Sequence, residues 1–217
     1  MTYFEYGSKE TEYLSIRDAV LAEAISIIGT IEREVNPDLF SALVDSILGQ
    51  QISRKAKETV SRRMSESLTE ITPKNILALS ESELQAFGIS FRKAGYIREA
   101  ALAVDSGAVC LASLSLKSDA EVIAELTKLP GIGVWTAEML LLFSLGRPDI
   151  ISYGDLGIQR GLCRLYQQDK ISREEFAVYR NRYSPYASVA SLYLWEVAAI
   201  SNFPESPSSL LGRALSI

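Results

Sequence analysis

Helix start and stop signals recur along this chain at such short intervals that it has room for little except short helices joined by tight links. Asn36, Thr72 and Ser184 each stand directly before a proline, the order of an N-cap followed by a helical position where a missing N–H costs nothing. Ser80 with Glu83, Ser118 with Glu121 and Ser172 with Glu175 have capping-box spacing, in which the carboxylate reaches back to the N-cap amide. Gly88, Gly107 and Gly146 each close a periodic segment and suit the left-handed residue after a helix end. Between these marks the apolar residues follow helical spacing, and no run of two-residue alternation is bounded by hairpin turns. The pattern predicts an all-α chain with helices over 18–33, 37–50, 54–68, 73–78, 81–87, 91–106, 119–128, 134–145, 156–167, 173–180 and 185–200. From Asn202 onward, two prolines and a cluster of serines predict a loosely packed tail.

Composition then narrows the chemistry. With 217 residues, 47% hydrophobic and 23% charged, the chain can build one sizeable core and needs no staples. It has no histidine, which removes histidine-based triads, HExxH zinc sites and imidazole proton shuttles together. Two cysteines, Cys110 and Cys163, cannot form a disulfide framework or a four-cysteine zinc or iron–sulfur site. Whatever chemistry exists must run on carboxylates, lysines, tyrosines or backbone. The polar, acidic first residues lack the basic start and apolar run of a signal peptide, and no apolar stretch approaches the ~20 residues of a membrane span. The expectation is a soluble, cytoplasmic monomer with no membrane association.

The most informative segment is Leu126–Phe143, LTKLPGIGVWTAEMLLLF, in which Leu129-Pro130-Gly131-Ile132-Gly133 joins two apolar-periodic helices. Pro130 ends the first helix, Gly131 and Gly133 permit backbone closed to other residues, and the first amides of the second helix lack intrahelical partners. Such amides, with the helix dipole behind them, attract phosphate without needing lysine or arginine. This matters because 22 Lys plus Arg against 27 Asp plus Glu leave a net charge of -5, which otherwise argues against a nucleic-acid partner. Glycine-containing turns between helices are also common in proteins that bind no DNA.

LPGIG followed by Val134-Trp135-Thr136-Ala137 and, 22 residues after Gly133, by Asp155 resembles the helix-hairpin-helix DNA glycosylase superfamily. Within it, Leu48-Gly49-Gln50-Gln51-Ile52-Ser53, the KAGYIREA stretch Lys93–Ala100, and Pro185-Tyr186 leading to Tyr193-Leu194-Trp195 look like the 3-methyladenine DNA glycosylase II branch, over Ala19 to Trp195. The resemblance implies one glycosylase unit over 1–217 in which two helical lobes flank a cleft. One lobe would be residues 1–40 with 150–217, the other 41–149, including the hairpin at 119–145. The implied activity is excision of alkylated purines such as 3-methyladenine from double-stranded DNA. Rival readings are a glycosylase for other damaged or mismatched bases, a non-catalytic DNA-binding module, and a helical protein-interaction domain.

The family motif carries over residue by residue. Asp155 matches the catalytic aspartate, whose carboxylate stabilises positive charge building on the sugar and helps to orient or deprotonate water; on local sequence it also reads as the N-cap of a helix from Leu156. Bifunctional members carry a lysine nucleophile where this chain has Trp135, which implies a monofunctional enzyme without AP-lyase activity. Trp135 and Trp195 match aromatic positions of the base pocket, where an electron-rich ring stacks on a cationic base; Tyr153 and Met139 are further candidates, and helical spacing is also compatible with core tryptophans, Trp195 above all. Gln50 and Gln51 match the wedge that fills the hole left by an everted nucleotide, with Gln51 at the wedge position; without that motif they are two polar residues at a helix end. Gly131, Gly133 and Thr136 complete the DNA-binding set, and Lys55, Lys57, Arg92, Lys93 and Arg160 could reach phosphates. No cofactor is required and no iron–sulfur cluster is implied, but the hairpin of this superfamily commonly holds Na+ or K+ through backbone carbonyls, here those of Thr127, Leu129 and Ile132. Two positions depart from the family: Tyr153 stands where proline is common, and Ala187 where arginine is. The best-known bacterial member has a β-rich N-terminal domain for which this chain has no counterpart, so a smaller DNA footprint is expected.

Overall fold

The computed structural model describes residues 2–201 and 203; apart from Phe203, the predicted tail lies outside the described residues. Its elements are almost all helical, as the capping signals predict. The chain divides into two compact units, Met1–Val35 with Gly146–Ile217, and Asn36–Leu145.

In the first unit a two-residue antiparallel pair, β1 (Thr2–Tyr3) with β2 (Glu34–Val35), joins α1 (Ser8–Arg17), α2 (Ala19–Ile28), α10 (Leu156–Leu165), α11 (Arg173–Tyr183) and α12 (Ala187–Ala199). Leu14, Leu21, Leu162, Tyr183, Leu192 and Leu194 are among its fully buried side chains. A polar knot is built into this core at Asp18. Its Oδ1 caps α2 by accepting from the Val20 and Leu21 amides at 3.0 and 2.9 Å, and its Oδ2 accepts from Tyr166 and Arg182, both at 2.7 Å. Tyr166 and Tyr183 share a further hydrogen bond of 2.6 Å, and burial pushes both phenols well above the ordinary tyrosine value, so they stay neutral donors. Both carboxylate oxygens of Asp18 and both phenol oxygens are thereby supplied with partners, which buried polar groups require.

The second unit contains α3 (Leu39–Gly49), α4 (Arg54–Ser67), α5 (Pro73–Leu77), α6 (Glu81–Ala86), α7 (Phe91–Asp105), a 3-10 turn (Leu111–Leu116), α8 (Asp119–Leu126) and α9 (Val134–Phe143). Leu43, Ile47, Met64, Ile97, Leu114 and Leu141 line its core. The helix α7 packs on α3, α5 and α6, while α9 packs on α8 and α3, so the hairpin and the end of α3 belong to one packed body.

The three capping boxes form as expected, Thr72 caps α5 with Pro73 in its first turn, and Gly88, Gly107 and Gly146 take φ of 103, 75 and 62°. Four expectations need correction. The single helix over 18–33 ends at Ile28, because Gly29 takes φ 74° and its amide closes on Ile25. A helix over Ser8–Arg17 precedes it, in a stretch too polar to show an apolar period. Asn36 does not cap α3; its carboxamide accepts from the Asp38 amide, and Asp38 is the cap, accepting from Ser41 at 3.0 Å. Ser184 likewise ends α11 instead of starting α12, its amide donating to Arg180, and a turn from Tyr183 to Tyr186 carries Pro185 before α12 begins.

Candidate active site and nucleic-acid interface

Asp155 occupies the N-cap of α10. Its backbone is extended, at φ -84 and ψ 116°, and its Oδ1 accepts from the Ile158 amide at 2.9 Å, the reach that makes a short acidic side chain a good cap. The same Oδ1 accepts from the indole Nε1 of Trp195 on α12, also at 2.9 Å. Only 7% of Asp155 is exposed, so one carboxylate oxygen is clamped by two donors in a largely desolvated setting, at the positive end of a helix. A carboxylate so held presents negative charge from a fixed place and needs no reorganisation as positive charge develops beside it.

What brings Trp195 to Asp155 is a pair of glycines one turn apart on α10. A Cβ at Gly157 would lie 2.6 Å from Trp195 Cδ1 and 3.1 Å from Asp155 Oδ1. At Gly161 it would lie 2.2 Å from the Leu194 carbonyl oxygen. Residues four apart share a helix face, so Gly157 and Gly161 open a groove in which the Leu194-Trp195 step of α12 rests. Their GIQRG spacing is visible in the sequence, but the neighbour that requires it lies more than thirty residues away.

Tyr153 is engaged within the same unit. Its ring packs edge-on against Phe176 at 5.2 Å, the Arg173 guanidinium lies over it at 4.6 Å, and its carbonyl accepts from Gln159 at 2.8 Å. The Arg173 guanidinium thus covers one face of the ring. Cys163 is no alternative nucleophile, since burial foremost, with Asp169 and Glu175 nearby, pushes its thiol up and keeps it protonated.

The hairpin lies in the other unit. The chain leaves α8 through successive tight turns, the Lys128 and Leu129 amides closing on Glu125 and Leu126, and Ile132 closing on Leu129 at 3.1 Å. Gly131 takes φ 80°, and a Cβ there would stand 2.4 Å from the Tyr96 ring, so conformation and space both demand glycine. Gly133 is the N-cap of α9 with no side chain to cap it, and nothing lies within 4 Å of where its Cβ would be. No side chain therefore caps the first turn of α9 or fills the space at Gly133, and a helix start of this kind attracts anions. Val134 and Trp135 follow Gly133, 55 and 47% exposed, whereas Thr136 is 6% exposed and offers only its backbone in that first turn. Met139 is half-buried on the same helix.

The model of the family described as HhH-GPD superfamily base excision DNA repair protein matches residues 44–183, a span that holds the hairpin and Asp155. The chain belongs to the HhH-GPD superfamily. It is similar to the crystal structure of a DNA-3-methyladenine glycosidase from Bacillus halodurans, at TM-score 0.84 and 35% identity over 98% of this chain and 100% of that one. It is also similar to the 3-methyladenine DNA glycosylase of Schizosaccharomyces pombe solved in complex with abasic DNA, at TM-score 0.78 and 27% identity over 91% and 100%. YfjP of Bacillus subtilis (strain 168) is 29% identical over 166 residues, 72% of this chain, and the chain spans 58% of that relative's length.

Among the HhH-GPD motif residues, the two glutamines after α3 separate. Gln51 is exposed at φ 55°, while Gln50 is half-buried and donates from Nε2 to the Gly131 carbonyl at 2.8 Å. Lys93, a phosphate candidate by sequence, instead points its ammonium at backbone carbonyls of Leu48 and Gln50. Among the described residues no three His, Cys, Asp or Glu side chains group so as to hold a metal, and no helix is long and apolar enough to cross a membrane.

Proposed function

We propose that this chain is a monofunctional DNA glycosylase that hydrolyses the N-glycosidic bond of alkylated purines, of the 3-methyladenine type, in double-stranded DNA. The observation that carries the reading is the doubly clamped Oδ1 of Asp155 in a chain of the HhH-GPD superfamily. The bond from C1′ to the purine nitrogen breaks with its electron pair going to the base, which leaves neutral because alkylation had made it cationic. Asp155 stabilises the positive sugar, water adds to C1′ and loses a proton, and an abasic site remains. Trp135, half-exposed beside the hairpin amides, is proposed to stack on the everted cationic base. With tryptophan at the position of the family's lysine there is no amine to form a Schiff base.

The hairpin carbonyls of Thr127, Leu129 and Ile132 are proposed to hold Na+ or K+. Neutral carbonyl oxygens suit such hard cations, and Leu129, which accepts one hydrogen bond from Ile132, keeps a second lone pair. The ion would supply a structural clamp on the turn and take no part in hydrolysis.

A second reading, a non-catalytic DNA-binding module, is favoured by one observation: Asp155 is buried and serves as a helix cap. Incubation with methylated duplex separates the two. The glycosylase yields alkali-labile sites, with strand breaks appearing only after alkali and no borohydride-trapped protein–DNA adduct. Breaks without alkali, or a trapped adduct, contradict the monofunctional assignment, and the absence of any alkali-labile site favours the binding module.

A further inference from the structure

One face of α7 touches both the turn after α3 and the hairpin turn of the second unit. Lys93, in its first turn, donates from Nζ to the carbonyls of Leu48 at 2.7 Å and Gln50 at 2.6 Å. These stand where α3 runs out, among the carbonyls that a helix end leaves without intrahelical partners, and a cation at that end meets the negative pole of the dipole. Tyr96, three residues further along α7 and on the same face, has its ring against Gly131, where a Cβ would come within 2.4 Å of it. Gln50 closes the circuit by donating from Nε2 to the Gly131 carbonyl at 2.8 Å. The residue that directly follows these contacts is Gln51, exposed and held at φ 55°, a left-handed conformation that a residue other than glycine adopts only at a cost. Burial draws the Lys93 ammonium below the ordinary lysine value, as fits a charge withdrawn from water onto backbone acceptors.

We propose that Lys93 is a positioning residue for opening the duplex: its ammonium fixes the turn that presents Gln51, and Gln50 locks that turn to the hairpin, so that wedge and phosphate grip act as one rigid piece. The proposal rests on the glycosylase reading for its substrate, damaged duplex DNA. It assigns Gln50 to a strut within the protein and leaves Gln51 as the side chain that enters the stack.

Lys93→Met removes the donors at similar length, and Lys93→Arg retains donors. Hydrogen exchange of the full chain reports the turn itself: Lys93→Met should speed exchange of the Gln50–Ser53 and Ile132 amides about tenfold or more, with the amides of α10 and α12 unchanged as proof of folding. Single-turnover base release from methylated duplex, measured at saturating protein, should fall about 10-fold to 100-fold, and Lys93→Arg should recover most of the rate. In a Gln51→Ala background Lys93→Met should cost less than about twofold more, because both changes disable one device. Unchanged exchange at those amides overturns the proposal, as does a loss of rate that is undiminished in the Gln51→Ala background. If the unsubstituted chain releases no base, the glycosylase reading fails by itself, and the exchange result alone still decides whether Lys93 holds the turn.

Discussion

Asp155→Asn should fold, bind duplex DNA as tightly as the unsubstituted chain, and release alkylated purine at least about 100-fold more slowly, close to 2.7 kcal/mol of lost transition-state stabilisation. The substitution separates the two jobs that one side chain performs. Asparagine is as good an N-cap as aspartate, and its carbonyl oxygen can accept from the Ile158 amide and the Trp195 indole as Oδ1 does now. Helix α10 should therefore keep its start, with unfolding free energy changed by less than about 1 kcal/mol. What disappears is the negative charge that a sugar losing its base requires. Single-turnover kinetics, read beside thermal unfolding, check both halves. Full activity in the asparagine variant would remove Asp155 from the chemistry, and a large loss of stability would mean that the charge matters to the fold.

Gly161→Ala should be the costliest small substitution in the first unit. The added methyl would meet the backbone of Leu194, with its carbonyl oxygen at 2.2 Å and carbonyl carbon at 2.8 Å, and backbone cannot swing aside as a side chain can. Helices α10 and α12 must separate, at about 3 kcal/mol of overpacking, offset by up to ~1 kcal/mol from alanine's better helix propensity. For a chain of this size a net loss of about 2 kcal/mol lowers Tm by roughly 4–8 °C. Gly157→Ala contrasts with it, since the group it meets is the Trp195 ring, 2.6 Å away, which can shift. There the expected loss falls on base release, because the indole moves off Asp155, and less on Tm. Calorimetry and single-turnover rates of the two variants together test whether this groove sets the Asp155–Trp195 contact; equal Tm values for Gly161→Ala and the unsubstituted chain would contradict it.

What was legible in the sequence is what local chemistry decides. A capping box needs two side chains three residues apart, and all three predicted boxes form; Gly88, Gly107 and Gly146 end helices as left-handed residues because no other residue does so as cheaply. The hairpin was legible for the same reason at Pro130 and Gly131, whereas Gly133 corrects the expectation: at φ -92 and ψ 173°, with nothing within 4 Å of where its Cβ would be, its backbone is open to other residues. Helix boundaries beside prolines were not legible, because Asn36 and Ser184 can serve either a cap or a turn, and contacts outside their own segments choose. The site shows the same division. Asp155 as a cap followed from its place before Leu156, but the Trp195 indole that shares its oxygen comes from forty residues away. Lys93 reads by sequence as a phosphate contact because its acceptors, two backbone carbonyls at the end of α3, have no sequence signature at all.

The activity proposed for this chain is cleavage of the bond between an alkylated purine and its sugar. The most direct measurement is chromatographic detection of free base after incubating the full chain with duplex DNA carrying radiolabelled methyl groups. Release of labelled 3-methyladenine in proportion to enzyme and time, at least about 100-fold above the Asp155→Asn variant, is the predicted result. Salt-sensitive binding to the same DNA with no labelled base in solution would contradict the proposed activity and leave a DNA-binding module in its place.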